Sequence, residues 1–393
     1  MLRLVFIACA LVLSFSGAHG QDLMVPCFWR ATTLSQPWIS PDMPCLEAVI
    51  DDPSAGELAF TALAVAAEGT LYAARPLAGQ IIALDDADGD GLPETPRIAA
   101  DGLTLPNALT VHNGALYIAG GAHIYRLSGG DLTVLVDDLP VGGGFWTGGI
   151  AVGPLEQTDA RIYVGVGAPC AACTPEDSER GTILSFALDG TDRRVLAAGL
   201  RQPADLAWHN GALWVVDSAP PARNSDDDQA DLDELNRVTP DAHFGWPYCL
   251  GAGNHQHLPG MDCAEAAAPT LTFPTGSTPL GITGYRSDAI PALDGALLVA
   301  LGGSYNTRDL RGYVVVAVTV DSATGAARYR PILPAWPEPR PPEFTLAEIN
   351  YRGSGVWPHR PYDVAASPEG WVYISVGGGR ILALRPNAPA EGQ

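Results

Sequence analysis

The chain has 393 residues and carries 44 acidic side chains against 22 basic ones, all of them arginine, for a formal charge of −22. A surface of that sign repels nucleic acid and anionic membranes, so neither is expected as a partner. With 44 glycines, 34 prolines and no helical period of useful length, the composition points to a turn-rich all-β chain.

Residues 1–20 follow the pattern of a secretion signal. Met1-Leu2-Arg3 is a short basic start, Leu4 to Phe15 is an apolar run, and Ala18-His19-Gly20 offers a cleavage site before Gln21. A secreted or periplasmic protein is expected. Cys9 gives a loose lipoprotein-like match, but the apolar run continues past it, which favours ordinary cleavage. That run is too short to span a bilayer, and no later stretch reaches about 18 apolar residues. Cleavage would remove Arg3 and no acid, taking the net charge to −23. Six cysteines remain, and an even count in an exported chain reads as disulfides. Local pairing gives Cys27–Cys45, Cys170–Cys173 and Cys249–Cys263 among 15 formal connectivities. A redox or zinc role for Cys170-Ala-Ala-Cys173 is disfavoured: it precedes a polar loop, and no second CxxC or HxxxH accompanies it.

Residues 21–58, rich in Pro, Trp and Cys, read as an N-terminal extension stapled by a disulfide. Residues 59–388 are repetitive, and 389–393 form a tail. In each repeat an apolar strand leads through a glycine turn to a second strand, then a loop, then a strand of the form Ile-x-x-Leu. The second strands place Tyr72, Tyr117, Tyr163, Trp214, Leu298 and Tyr373 at one equivalent position, spaced by 45, 46, 51, 84 and 75 residues. The first three spacings suit one four-stranded blade each, and the last two imply insertions. Sheets with two faces to bury stack in a ring, so the expected fold is a six-bladed β-propeller, closed by an N-terminal strand near Phe60 joining the last blade. The insertions are residues 218–231 with the Cys249–Cys263 excursion, and 321–359 with Trp336 and Trp357.

The stretch Gly199 to Cys249 carries the chemistry. Residues 203–216 read as two strands around His209-Asn210-Gly211. An acidic loop with Asp226, Asp227 and Asp228 follows, then the strand Asp233 to Val238, then Phe244-Gly245-Trp246-Pro247. Carboxylates and free carbonyls in one loop suit a hard cation such as Ca²⁺, or form a solvated acidic loop. The ordered motifs Gly199-Leu200-Arg201-Gln202-Pro203, Asp233-Glu234-Leu235-Asn236 and Gly245-Trp246-Pro247-Tyr248-Cys249 resemble the soluble quinoprotein glucose/sorbosone dehydrogenase family over about residues 60–386.

That resemblance implies a six-bladed propeller using pyrroloquinoline quinone (PQQ) and calcium to oxidise a sugar or polyol, with electrons passing to an acceptor. It implies that Arg201, with Gln202 beside it, and Arg360 contact the quinone. The carbonyls of Ala219 and Pro220 would hold the catalytic calcium, and Glu234 would belong to a structural calcium site. The family's catalytic histidine falls, counting back from Gly153-Pro154, on Phe145, which cannot accept a proton. His123, in another blade, is a weak substitute. The family's lysine contact is absent, because the chain has no lysine. Read from the residues alone, Asp86-x-Asp88-x-Asp90-Gly91 is a polar hairpin tip, since Arg97 stands where a calcium loop needs Glu. Asp205 and Asp363 recur at one repeat position, with Asn107 one residue off register. They would either bind Ca²⁺, as in propeller lactonases, or hydrogen-bond neighbouring strand ends, the second being favoured. The expected activity is therefore a PQQ- and calcium-dependent sugar dehydrogenase, impaired by Phe145. The alternatives are a non-catalytic carbohydrate- or protein-binding propeller and a calcium-dependent lactonase.

Overall fold

The computed structural model describes residues 45–87, 92–93, 95–154, 159–218, 232–250, 255–304, 311–333 and 360–386. Six four-stranded antiparallel sheets dominate it. Blade 1 comprises Ala62–Val65, Leu71–Arg75, Gln80–Asp85 and Thr95–Ala100, and blade 2 comprises Pro106–His112, Ala115–Gly120, His123–Ser128 and Asp131–Val136. Blade 3 is Thr147–Gly153, Arg161–Val166, Thr182–Ala187 and Arg194–Ala198; blade 4 is Pro203–His209, Ala212–Asp217, Asp233–Val238 and Leu271–Phe273. Blade 5 is Pro279–Gly284, Leu297–Leu301, Val314–Val320 and Ala327–Leu333. Blade 6 takes Pro361–Ala366, Val372–Val376 and Arg380–Leu384 from the C-terminal end and Leu46–Asp51 from the N-terminal end. The innermost strands of neighbouring blades touch all the way round, blade 6 against blade 1 included.

The expected six-bladed propeller is therefore present, with all six Ile-x-x-Leu segments as third strands and all six aromatic or leucine positions on second strands. The closing strand differs from expectation. It is Leu46–Asp51, paired antiparallel with Arg380–Leu384, and not a strand near Phe60. Phe60 instead packs with Leu63, Trp371 and Tyr373 in the apolar layer between blades 6 and 1. The reason lies in Leu46-Glu47-Ala48-Val49-Ile50: these residues lie in a stretch read as a stapled extension, yet they are apolar enough to serve as the outer strand. Cys27 lies outside the described residues, and so does its expected bridge to Cys45. The bridges Cys170–Cys173 and Cys249–Cys263 are formed.

Position in a blade explains the residue pattern. Second strands are covered by blades on both faces, so Ala115–Gly120 and Val372–Val376 are buried throughout and read as unbroken apolar runs. The outermost strands face water, and Thr95–Arg97 at the rim of blade 1 are exposed. First strands border the axis, where one edge has no strand partner. Proline tolerates such an edge, and Pro106, Pro203, Pro279 and Pro361 open four of the six. In blades 2 to 6 the pairing register shifts just inside this end, as between Pro203 and Asp205 or Pro361 and Asp363. The ring is tight here: a Cβ on Gly149 of blade 3 would lie 2.2 Å from the Asp205 Cα of blade 4.

Because the strands alternate in direction, the loops leading into each first strand and those joining second to third strands all emerge at one end of the ring. That end is called the mouth. A central channel of about 570 Å³ is lined by first strands of all six blades and, at the end opposite the mouth, by turn residues such as Asn113, Gly114, Ser367 and Pro368.

Candidate functional site at the channel mouth

Arg201 arrives at the mouth on the short link between Ala198 and Pro203, and it is buried. The backbone fixes it from below. The buried carboxylate of Asp217, at the end of blade 4's second strand, accepts the Arg201 N–H at 3.0 Å and the Gln202 N–H at 2.6 Å. Burial pushes the Asp217 carboxyl up to about 6 against the pull of these hydrogen bonds and of the Arg201 charge. The guanidinium donates to the Ser218 carbonyl at 2.9 Å and lies 4.1 Å from the centre of the Phe145 ring. Cation and ring face each other at a contact distance that favours their attraction. Structure thus brings Phe145 to Arg201.

The loop holding Phe145 is pinned by a residue that the sequence reading missed. Arg180 is buried, and among the described residues no carboxylate bonds to it. Its guanidinium donates to the carbonyls of Gly142, Phe145, Gly167 and Ala168 at 2.6 to 3.0 Å. Loss of hydration lowers its pKa. The backbone adds Gly144 N–H to Pro169 O at 2.6 Å and Phe145 N–H to Ala168 O at 3.1 Å. Trp246, of the Gly-Trp-Pro motif, donates its indole N–H to the Ala171 carbonyl inside the Cys170–Cys173 loop. The Phe145 loop, the disulfide loop and the closing motif of blade 4 are one packed unit. The sequence offered no more for it than an arginine, Arg180, two positions ahead of the buried third strand at Thr182.

Arg360 stands at the same end but at the first strand of blade 6, with blade 5 between it and Arg201. Its guanidinium donates to the carbonyls of Gly302 and Ser304 and to the Tyr313 hydroxyl, at 2.8 to 3.0 Å, and lies 4.9 Å from the Tyr313 ring centre. These contacts bind blade 6 to the mouth loop of blade 5. Ala219 and Pro220, the expected calcium ligands, lie outside the described residues, as do Asp88, Asp90, Trp336 and Trp357. His123 stands at the mouth end of blade 2's third strand. It is half-buried, its ring stacks 5.2 Å from Tyr125, and its buried Nδ1 has no hydrogen-bond partner among the described residues.

Oxygen donors collect where blade 4's second and third strands meet the mouth. Glu234 pairs in register with Asp217 and follows Asp233. Its carboxyl is pushed up to about 8 by loss of hydration and by the charges of Asp217 and Asp233, an Asn236 hydrogen bond opposing. Among the described residues the Asn236 Oδ1 is buried without a hydrogen-bond partner, and so is the Ser218 hydroxyl. Crowded carboxylates and orphaned oxygens fit a hard cation, although among the described residues no three acidic, histidine or cysteine side chains are grouped as a metal cage.

Asp205 and Asp363 take the favoured structural use. Asp205 accepts the Ile282 N–H of blade 5 at 2.8 Å, and Asp363 accepts the Leu63 N–H of blade 1 at 2.6 Å. Each carboxylate satisfies a donor on the free inner edge of the next blade and so ties two blades together at the axis. Burial pushes Asp205 up to about 7; burial, and then the Asp205 charge, holds Asp363 well above the usual carboxylate range. Asn107, one residue off register, donates instead to the Thr147 carbonyl of blade 3 at 2.6 Å. A lactonase-type calcium at this pair would have to displace these bonds.

Residues 175–321 match a family model, from the disulfide loop of blade 3 to the end of blade 5's third strand. The match is to the Glucose / Sorbosone dehydrogenase family. The resemblance read from the motifs is thereby borne out over the stretch that holds Arg201, Gln202 and Glu234, with Phe145 and Arg360 outside it. Among solved structures, a Trichoderma reesei Carbohydrate-Active Enzymes Family AA12 protein superposes at a TM-score of 0.67, with 15% identity over 90% of this chain and 99% of that one. The PQQ domain of Coprinopsis cinerea pyranose dehydrogenase, in its holo form, gives 0.65 with 15% identity over 89% and 98%. A PQQ-bound aldose sugar dehydrogenase from Streptomyces coelicolor gives 0.56 with 17% identity over 87% and 98%. At these identities the shared property is the fold. An uncharacterized protein of Borreliella burgdorferi is 26% identical over 189 residues, 44% of this chain and 47% of that protein, so the chain spans about half the length of this curated relative.

Proposed function

We propose that the protein is an exported oxidoreductase that binds PQQ and calcium at the channel mouth and oxidises a sugar or polyol slowly. The observation that carries this reading is Arg201, buried at the mouth with its backbone N–H on Asp217, its guanidinium on the Ser218 carbonyl and an aromatic ring facing that guanidinium, within the stretch matching the family. In so acidic a chain a buried cation at the channel mouth is the feature an anionic planar quinone would seek. The donor set fits the group in part: Arg201 would meet a carboxylate, Gln202 offers a neighbouring amide, and the rings of Phe145 and exposed Trp146 suit a planar molecule. Glu234, with Asn236 nearby, fits a structural calcium. When bound, PQQ would accept the hydride from the substrate carbinol.

The rest falls to the chain's own side chains. A positioned base contributes about 10²–10⁴-fold to such a reaction, and Phe145 cannot supply it, so substrate would be held and oriented with little help in losing its hydroxyl proton. Phe145 also favours a second reading, in which the mouth grips a carbohydrate face without oxidising it. Reconstituting the purified protein with PQQ and Ca²⁺, then following quinone absorbance and dye reduction with aldoses and polyols, separates the two. Our reading expects a bound-quinone spectrum and slow sugar-dependent dye reduction. Sugar binding with no spectral change at saturating PQQ would support the second reading.

A further inference from the structure

Apolar side chains left in water are unevenly placed on this propeller. Among the described residues, the large hydrophobic side chains most exposed to solvent are either on outermost strands or on loops. Those on loops are Leu58, Leu77, Leu105, Val141 and Trp146, and all five belong to the mouth. Leu58 precedes blade 1, Leu105 precedes blade 2, and Val141 and Trp146 precede blade 3, while Leu77 joins the second and third strands of blade 1. No described loop at the opposite end carries one. Leu77 is 75% exposed and Trp146 61%. Leu105 is held at a φ of 44°, a conformation that costs a bulky residue energy, and its side chain is more than half exposed all the same.

Charge follows the same half of the mouth. Its loops expose Asp52, Glu57, Asp101, Asp137, Glu176 and Asp177. They expose no arginine among the described residues, because Arg180 and Arg201 are buried. Over blades 1 to 3 the exposed apolar side chains therefore share the mouth loops with exposed acids, and the last of them, Trp146, adjoins Phe145 of the Phe145–Arg201 contact. Exposed apolar groups set among charges of one sign mark a protein-docking surface. Its sign selects a cationic partner, drawn in by long-range attraction.

We propose that this half of the mouth docks a small basic electron-carrier protein, the acceptor of the electrons taken from substrate. The proposal rests on the redox reading above, which requires electrons to leave from the mouth. The position suits it, because a carrier seated on Val141 and Trp146 would lie against the rim of the cofactor site. A small, salt-sensitive contact is expected, as for other transient electron-transfer pairs.

Binding can be measured without PQQ, so a failure of the redox reading and a failure of the docking proposal remain distinguishable. The mature protein is immobilised and titrated with a basic c-type cytochrome, with lysozyme as a basic non-redox control and an acidic flavodoxin as a control of opposite charge. The expected result is binding of the cytochrome that weakens about tenfold or more between 20 and 200 mM NaCl, with the flavodoxin silent. The triple variant Asp101→Asn, Asp137→Asn, Glu176→Gln should weaken binding and flatten its salt dependence. Leu77→Ser with Val141→Ser should weaken it at every salt concentration. Asp288→Asn with Asp294→Asn, at the opposite end, should leave it unchanged. Equal binding by mouth and opposite-end variants would overturn the proposal, as would equal binding of lysozyme with no effect of the Leu77 and Val141 changes.

Discussion

Asp205 can be replaced by asparagine at nearly constant size, which turns the buried carboxylate pair into a measurable quantity. The amide carbonyl in Asp205→Asn could still accept the Ile282 N–H that the carboxylate accepts at 2.8 Å; what disappears is the ionisable proton. In the unfolded chain this carboxyl titrates near 3.8, and in the fold burial raises it to about 7. Between those values the native state holds a proton that the unfolded state has lost. Stability from this group is therefore complete below pH 4 and is lost as pH rises through 7. The limiting slope is about 1.4 kcal/mol per pH unit, or about 4 kcal/mol across the window. The substitution removes that slope and relieves Asp363 of a neighbouring charge that helps to raise its own pKa. Urea unfolding of wild type and Asp205→Asn from pH 5 to 8, in chelator, should give a variant curve flatter by about one proton, with the variant the more stable protein above pH 7. Parallel pH curves, or a variant that is less stable at pH 8, would refute the account of the pair as buried inter-blade ties.

Other outcomes follow from the mouth and its surroundings. Phe145→His should raise dye-linked turnover by about 10²-fold or more in the PQQ-loaded protein. An imidazole 4 Å or so from the Arg201 charge should stay neutral to lower pH than a free one, so the gain should persist to pH 6 in a pH–rate profile. Arg360→Met should take the guanidinium from the Gly302 and Gly303 carbonyls and lower stability by about 3 kcal/mol, at roughly 1–3 kcal/mol per abandoned acceptor, as chemical denaturation would show. Calcium should raise the melting temperature more at pH 8.5 than at pH 6, since protons compete for Glu234, whose carboxyl sits at about 8 without a cation; Glu234→Gln should shrink that difference. Cys249→Ser with Cys263→Ser should cost on the order of 3 kcal/mol, the entropy of closing a loop of about 15 residues, again by denaturation.

The ring was legible in the sequence because blade position leaves a repeated mark. Second strands, covered on both faces, read as unbroken apolar runs, and Tyr117, Tyr163 and Trp214 recur in step. The closing strand was not legible, because Leu46–Asp51 pairs with residues more than 300 positions away and belongs to no local repeat. Phe145 and Arg201 were singled out through motif and spacing; their contact at 4.1 Å, made across two blades, was not legible in either motif. Arg180 was missed because its partners are main-chain carbonyls, which leave no mark in the sequence. Arg360 was singled out by its motif, but the acceptors that occupy its guanidinium lie in blade 5, out of reach of any local pattern. The doubling of Asp205 and Asp363 was visible; their partners, N–H groups on the inner edges of the next blades, required the closed ring.

The proposed function rests on Arg201 as the anchor of an anionic quinone at the mouth. Calorimetric titration of PQQ into the calcium-loaded protein, for wild type and Arg201→Met, measures that directly. Near-ultraviolet circular dichroism should confirm that both proteins are folded. Saturable binding to wild type is expected, weakened by at least tenfold in Arg201→Met while the fold is retained. Equal affinity for the two folded proteins, or no heat of binding in either, would contradict that role for Arg201.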